Sequence, residues 1–268
     1  MVHLLWENIL SVRKKSPLVH NITNYVVMNT TANALLAIGA SPIMAHAPEE
    51  VEDMVGICDS LVINIGTLEA SWVQAMLQAA SKANALHKPF VVDPVGAGAS
   101  AYRDTVLSQL VALRPTVIRG NASEIMALAH TNKSATKGVD STEQSNEALT
   151  AAVVLNQKFG SIICISGAQD IIVSKDHYVQ VDNGNALMTK VTGLGCTATA
   201  LIGAFLGCIE DQQQAVISAT ALMSIAGEIA AEQAKGPGSL QTILLDTLYT
   251  LTEDEFKNRI NLTTLYEK

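Results

Sequence analysis

Short runs of β-branched and aliphatic residues alternate along the chain with longer stretches whose apolar positions recur every three or four residues. The runs at 41–45, 61–66, 88–93, 116–120, 161–166 and 170–175 read as strands, several of them as continuous apolar segments of the kind buried on both faces. The stretches at 24–38, 48–58, 68–86, 101–113, 121–129 and 142–159 read as helices. After Thr192 only helices are expected, at 195–209, 211–235 and 238–252. Strands that alternate with helices over short connections make a mostly parallel sheet with helices on both faces. The runs at 161–166 and 170–175, separated by three residues, read instead as a hairpin. No repeat divides the chain, so 1–268 reads as one α/β domain closed by a helical C-terminal third. The polar stretch 131–145 reads as an extended surface loop.

In open α/β sheets ligands bind beyond the carboxyl ends of the strands. The residues there are Ala45-His46, Gly66-Thr67, the segment Asp93 to Gly98, Arg119-Gly120-Asn121 and Ser166-Gly167. With the turn Gly193–Cys196 they supply glycine, hydroxyl, carboxylate and one arginine, a mixture suited to a phosphate and a metal ion.

Composition narrows the partners. Of 268 residues 49% are hydrophobic and 16% charged, which supports a large core and argues against disorder. A net charge of −8, with no basic run beyond Lys14-Lys15, argues against nucleic acid. The four cysteines form no CxxC and no metal spacing with histidine, which fits reduced thiols in the cytoplasm. The N-terminal segment has no signal-peptide pattern. Residues 191–209 carry no charge over nearly a bilayer's length, yet they hold four glycines and no aromatic belt, so a buried helix is expected rather than a membrane span.

Each candidate motif carries a functional and a structural reading. The segment "GLGCTA" at 193–198 follows the strand-like "LMTKVT" and places backbone N–H groups at a helix start, where they either cradle an anion or simply close a turn. It matches G-x-G-x-x-A, as does 96–101, but the acidic residue expected about 20 positions on is missing: from Gly98 that count reaches Ile118 and Arg119. No lysine directly follows a glycine, so there is no Walker A loop. Cys196, in the first helical turn, is expected to ionise more easily than a free thiol, or else to serve as a small packing residue. Asp93 can bind Mg²⁺ through water or start an Asp-Pro turn. Asn121 and Glu124 can hold metal waters and phosphate beside an Arg119 clamp, or form a capping pair, and both can hold together. In "PLVHNITNYVV" His20, Asn21, Thr23 and Asn24 can line a polar pocket, although N-capping by Thr23 or Asn24 is the simpler reading.

Taken in order, "PLVHNITN", "ASPIMA", "INIGTL", "VVDPVGAG", "IRGNASEIMAL", "ISGAQD" and "GLGC" resemble the hydroxyethylthiazole kinase family of thiamine salvage, over about residues 5–252. The resemblance implies a ribokinase-like fold with no separate lid, and transfer of the ATP γ-phosphoryl group, with Mg²⁺, to the hydroxyl of 4-methyl-5-(2-hydroxyethyl)thiazole. It implies a homotrimer with pockets between subunits. Carried over by motif, Met44, Gly195 and Asn21 would contact the thiazole, while Arg119, Ser166 and Asn121 would bind ATP. Asp93 and Glu124 would organise Mg²⁺. Ser166 stands where the family often has threonine, and the hydroxyl survives. Cys196 stands where wider relatives carry a catalytic aspartate; here it would orient the alcohol and assist weakly. A related fold also serves NAD(P)H-hydrate dehydratases, whose glycine turn carries aspartate, and hydroxymethylpyrimidine kinases, against which Cys196 weighs less; a non-catalytic thiazole-binding protein is the alternative of another class.

Overall fold

A computed structural model describes residues 2–130, 141–175 and 177–265. Nine strands form one sheet: β1 (Leu18–Ile22), β2 (Ser41–Ile43), β3 (Ser60–Asn64), β4 (Phe90–Asp93), β5 (Val117–Asn121), β6 (Ile162–Ser166), β7 (Asp170–Val173), β8 (Tyr178–Val181) and β9 (Leu262–Leu265). Their spatial order is β2-β1-β3-β4-β5-β6-β7-β8-β9. The pairs from β2 to β6 are parallel, and those from β6 to β9 are antiparallel. The β6–β7 hairpin is as expected.

The helices are α1 (Val2–Lys15), α2 (Met28–Ala37), α3 (Val51–Ile57), α4 (Ala70–Ala85), α5 (Ala101–Ala112), α6 (Ala122–His130), α7 (Ser141–Phe159), α8 (Leu194–Leu206), α9 (Gln212–Gln233), α10 (Pro237–Thr250) and α11 (Glu253–Arg259). Two buried clusters sandwich the sheet. One joins Val19, Val62, Val91 and Val117 to α1, α2, α8, α9 and α10. The other joins Leu61, Ile63, Phe90, Val92 and Ile118 to α3 through α7. Alternate residues of each strand face opposite clusters, which is why the strands read as unbroken apolar runs.

Several expectations are corrected. The polar look of "LVHNI" hid β1, a strand inside the sheet whose His20 and Asn21 are buried. "Helix only after Thr192" is wrong, because β9 follows α11 and pairs with β8. The strand-like "LMTKVT" instead contains a 3-10 helix over Ala186–Lys190. Of the expected loop at 131–145, residues 131–140 lie outside the described residues, and α7 already begins at Ser141.

The uncharged window at 191–209 yields α8, a 13-residue helix packed under the sheet rather than a span. Among the described residues α9 is long and apolar enough to cross a membrane, but 83% of its apolar window is buried within the fold.

Candidate active site

The period-two rule places one residue from each of several strands on the same face at the same edge. Val62 and Asn64, Val91 and Asp93, Val117 and Arg119, and Cys164 and Ser166 repeat the pattern: an apolar residue packs under α8 or α9, and two positions on a polar one reaches the strand end. Asn64 pairs in register with Asp93, and Arg119 with Cys164.

Over these ends sits the start of α8. Gly193 caps it at φ 83°, a left-handed conformation that favours glycine, and a Cβ there would meet Val27 Cγ1 at 2.5 Å. The first helical bond runs from Thr197 N to Gly193 O at 2.9 Å, so the N–H groups of residues 194–196 precede it. Arg119 lies directly beside them: a Cβ at Gly195 would come within 2.7 Å of its Nη1. Three amides, a helix dipole and a guanidinium therefore come together in one place, an arrangement whose chemistry suits an anion such as phosphate. A cavity of about 580 Å³ opens from it, lined by Arg119, Ser166, Gly193 and Gly195 and by Asp170, Asn185, Thr189 and Met223 further out. That volume suits a small organic ligand.

Asp93 is buried behind the turn. Its Oδ2 accepts hydrogen bonds from Asn64 Nδ2 and Thr199 Oγ1, each at 2.8 Å. Burial pushes its carboxyl up to about 6, against the attraction of Arg119 and the hydrogen bond from Thr199. Asn64 Oδ1 in turn accepts from Asn24 Nδ2 at 2.8 Å and from Gly66 N at 2.9 Å. Asn24 Nδ2 also lies 3.5 Å from Cys196 Sγ. Cys196 and Asp93 are thus joined through two buried asparagines. Arg103 braces the loops beneath them, donating to Ile65 O, Val95 O and Gly66 O.

The expectation that the Cys196 thiol ionises easily is overturned. Burial and then the Asp93 carboxylate push it up to about 11, with only weaker opposition from the two asparagines and Arg119. The capping expectation for Thr23 and Asn24 also fails. α2 starts after Val27 with no side-chain cap, and Asn24 Oδ1 instead accepts from Val26 N at 3.1 Å.

Asn121 and Glu124 do form the capping pair: Asn121 Oδ1 accepts from Glu124 N at 3.0 Å, and Glu124 Oε2 from Asn121 N at 2.9 Å. Glu124 Oε1 meanwhile holds Gly96 N at 3.0 Å, tying the turn after β4 to α6. Its negative charge also raises the Asp93 carboxyl, so the two carboxylates sense each other. Ser166 Oγ donates to Gly120 O at 3.4 Å, next to the Arg119 strand end.

Among the described residues no three histidine, cysteine or carboxylate side chains converge as a metal cage. Two hard carboxylates nevertheless fit Mg²⁺, which takes few protein ligands and keeps much of its water. Asp93 and Glu124 would hold it.

Asn21 and Met44 are not brought into the cavity beside Arg119, whose lining includes neither. Asn21 is buried in β1 with Oδ1 unpartnered, while Nδ2 donates to Val19 O at 3.0 Å. Met44 follows edge strand β2, half-buried, and the next residue's carbonyl is held by His20 Nε2 at 2.8 Å. The sequence reading missed Asn64 and Thr199, and for Asn24 it is the polar reading rather than the favoured cap that the structure shows. For Asn64 the signal was available, since it repeats the Val91-x-Asp93 spacing.

Residues 9–254 match the family model described as the hydroxyethylthiazole kinase family. The hydroxyethylthiazole kinase of Syntrophus aciditrophicus is 54% identical over 258 residues, with 96% of each chain covered. That of Leptospira biflexa is 56% identical over 257 residues, covering 95% of this chain and 96% of the relative. The solved structure of hydroxyethylthiazole kinase protein from Pyrococcus horikoshii superposes with a TM-score of 0.91 at 40% identity, covering 98% of this chain and 99% of that one. A ribokinase-like superfamily protein from Enterococcus faecalis, at 19% identity and a TM-score of 0.64, shares the fold; it covers 91% of this chain and 89% of its own. The ribokinase-like architecture expected from the motifs is therefore the one observed, and the chain belongs to the hydroxyethylthiazole kinase family.

Proposed function

We propose that this protein transfers the γ-phosphoryl group of ATP to the hydroxyl of 4-methyl-5-(2-hydroxyethyl)thiazole, with Mg²⁺ bound by Asp93 and Glu124. The observation that carries the reading is the convergence of the first α8 amides with the Arg119 guanidinium, packed against Gly195, one residue from Cys196. Charge that builds on a migrating phosphoryl group is stabilised by such fixed donors, and a loose transition state needs little covalent help from the protein.

The nucleotide enters along the cavity from Arg119 and Ser166 toward Asp170 and Met223, with Asn121 contributing its amide nitrogen because its oxygen is used in the cap. The thiazole lies on the Asn21 and Met44 side, over Gly195, and its hydroxyl meets Cys196. A bound Mg²⁺ neutralises phosphate charge there. Cys196 keeps its proton at neutral pH, so its part is to orient the alcohol rather than to deprotonate it outright. We further read 1–268 as one catalytic unit that works as a homotrimer with pockets between subunits.

The test is direct. Purified protein is incubated with ATP, Mg²⁺ and the thiazole alcohol, and the phosphate ester is followed by ³¹P NMR. Ester that forms only when all three are present supports the reading; ATP consumption indifferent to the thiazole refutes it. Light scattering on the same sample reads the assembly, and a monomer with full activity refutes the trimer.

A further inference from the structure

We propose that Asn64 is a positioning residue that sets Asp93 and Asn24 relative to one another, and through Asn24 the side chain of Cys196. The proposal rests on the phosphoryl-transfer reading above. Asn64 is buried and its polar contacts lie within the site: it donates to Asp93 Oδ2, accepts from Asn24 Nδ2 and from Gly66 N, and its side chain also meets the Cys196 thiol. An asparagine is the residue type this position requires, because one end must donate to a carboxylate while the other accepts from an amide. Aspartate there would lose the donor and face Asp93 with like charge; leucine would keep the volume and lose every one of these hydrogen bonds.

The consequence is a choice of oxygen. With Oδ2 of Asp93 taken by Asn64 and Thr199, Oδ1 is the oxygen left for ligands. On the other side, Asn24 is pinned between Asn64 Oδ1 and the Cys196 sulfur, and Gly66 leaves it room: a Cβ there would meet Asn24 Nδ2 at 2.6 Å. The carboxylate on the phosphate side and the thiol on the alcohol side are therefore held in one frame, with Asn64 at its middle. Reactions that depend on alignment lose about 10²-fold for a misplacement near 1 Å.

The experiment uses the full-length protein. Asn64→Leu and Thr199→Val, with Thr199→Ser as the rescue, are compared with wild type in steady-state kinetics, after thermal melts confirm folding. For Asn64→Leu we expect kcat down about 10–100-fold, with KM for ATP and for the alcohol within about threefold of wild type. Thr199→Val should lose kcat and Thr199→Ser recover it. In an Asp93→Ala background, Asn64→Leu should cost clearly less than it does in wild type, since the part of its effect that runs through Asp93 is already lost. An unchanged kcat, a loss confined to KM, or losses that multiply across the two sites would overturn the assignment. A crystal structure of Asn64→Leu decides the point even if the wild type fails to phosphorylate the thiazole: Asp93 and Asn24 displaced supports the role, and both side chains unmoved removes it.

Discussion

The guanidinium of Arg119 lies so close to the α-carbon of Gly195 that a β-carbon there would fall 2.7 Å from Nη1. The obstructing atom is the tip of a flexible side chain, so Gly195→Ala should fold with a melting temperature near that of wild type while pushing Arg119 off the α8 start. Losing one preorganised donor at a developing charge costs about 10²–10³-fold in turnover. Steady-state kinetics should show that fall, and a variant with wild-type kcat would mean that Arg119 does not act beside Gly195.

Gly193 answers differently to the same substitution. Its φ of 83° strains any side chain, and the new methyl would strike Val27 Cγ1 at 2.5 Å. Gly193→Ala should destabilise the fold by about 2–4 kcal/mol, read from the urea midpoint at unchanged slope. A change below about 0.5 kcal/mol, the size expected of an ordinary surface substitution, would show that the turn is looser than described.

Cys196 should behave as a reluctant thiol. With its ionisation pushed up to about 11, the thiolate is a minor form at pH 8, and its fraction grows about tenfold per pH unit up to pH 10. Iodoacetamide labelling of the Cys196 peptide, followed by mass spectrometry, should climb across that range without a plateau. A plateau near pH 8 would place the ionisation where a free thiol has it.

If orientation is the main service of that thiol, Cys196→Ala should lower turnover by no more than about 10²-fold, the lower end of what proton-transfer help supplies. Cys196→Asp, which installs a competent base, should match or exceed wild type. A folded alanine variant with no measurable turnover would make the sulfur an essential proton acceptor.

Asp93 gives a prediction whose sign is set by burial. Its carboxyl is raised from the ordinary value to about 6, so the folded protein favours the protonated form. Its stabilising contribution is present below the unfolded-state value of about 4 and is lost as pH climbs through 6, a difference worth about 3 kcal/mol. Without Mg²⁺, Asp93→Asn should therefore melt higher than wild type at pH 8, and the gap should close toward pH 4. The same variant should lose phosphoryl transfer. A gap that is independent of pH would show that Asp93 is ionised at no cost.

Alternation of apolar runs with helical periods was enough to give the parallel sheet, its two helical layers and the hairpin at β6–β7, because burial on two faces leaves its mark on every residue of a strand. The glycine turn, Asp93, Arg119 and Glu124 were legible for a related reason: they stand at strand ends or helix starts, where ligands gather. β1 escaped notice because its His20 and Asn21 are polar yet buried, and their burial depends on neighbours far along the chain.

What the sequence determined by itself, then, is which side chains reach the carboxyl edge of the sheet, since that follows from a local period of two. What only the tertiary structure decided is how they act on one another: that Asn24 and Asn64 link Cys196 to Asp93 while Thr199 holds the same carboxylate oxygen, and that the thiol is harder to ionise rather than easier. Hydrogen bonding and desolvation depend on distance and on excluded water, and residues 29 apart, such as Asn64 and Asp93, meet only after the sheet has formed.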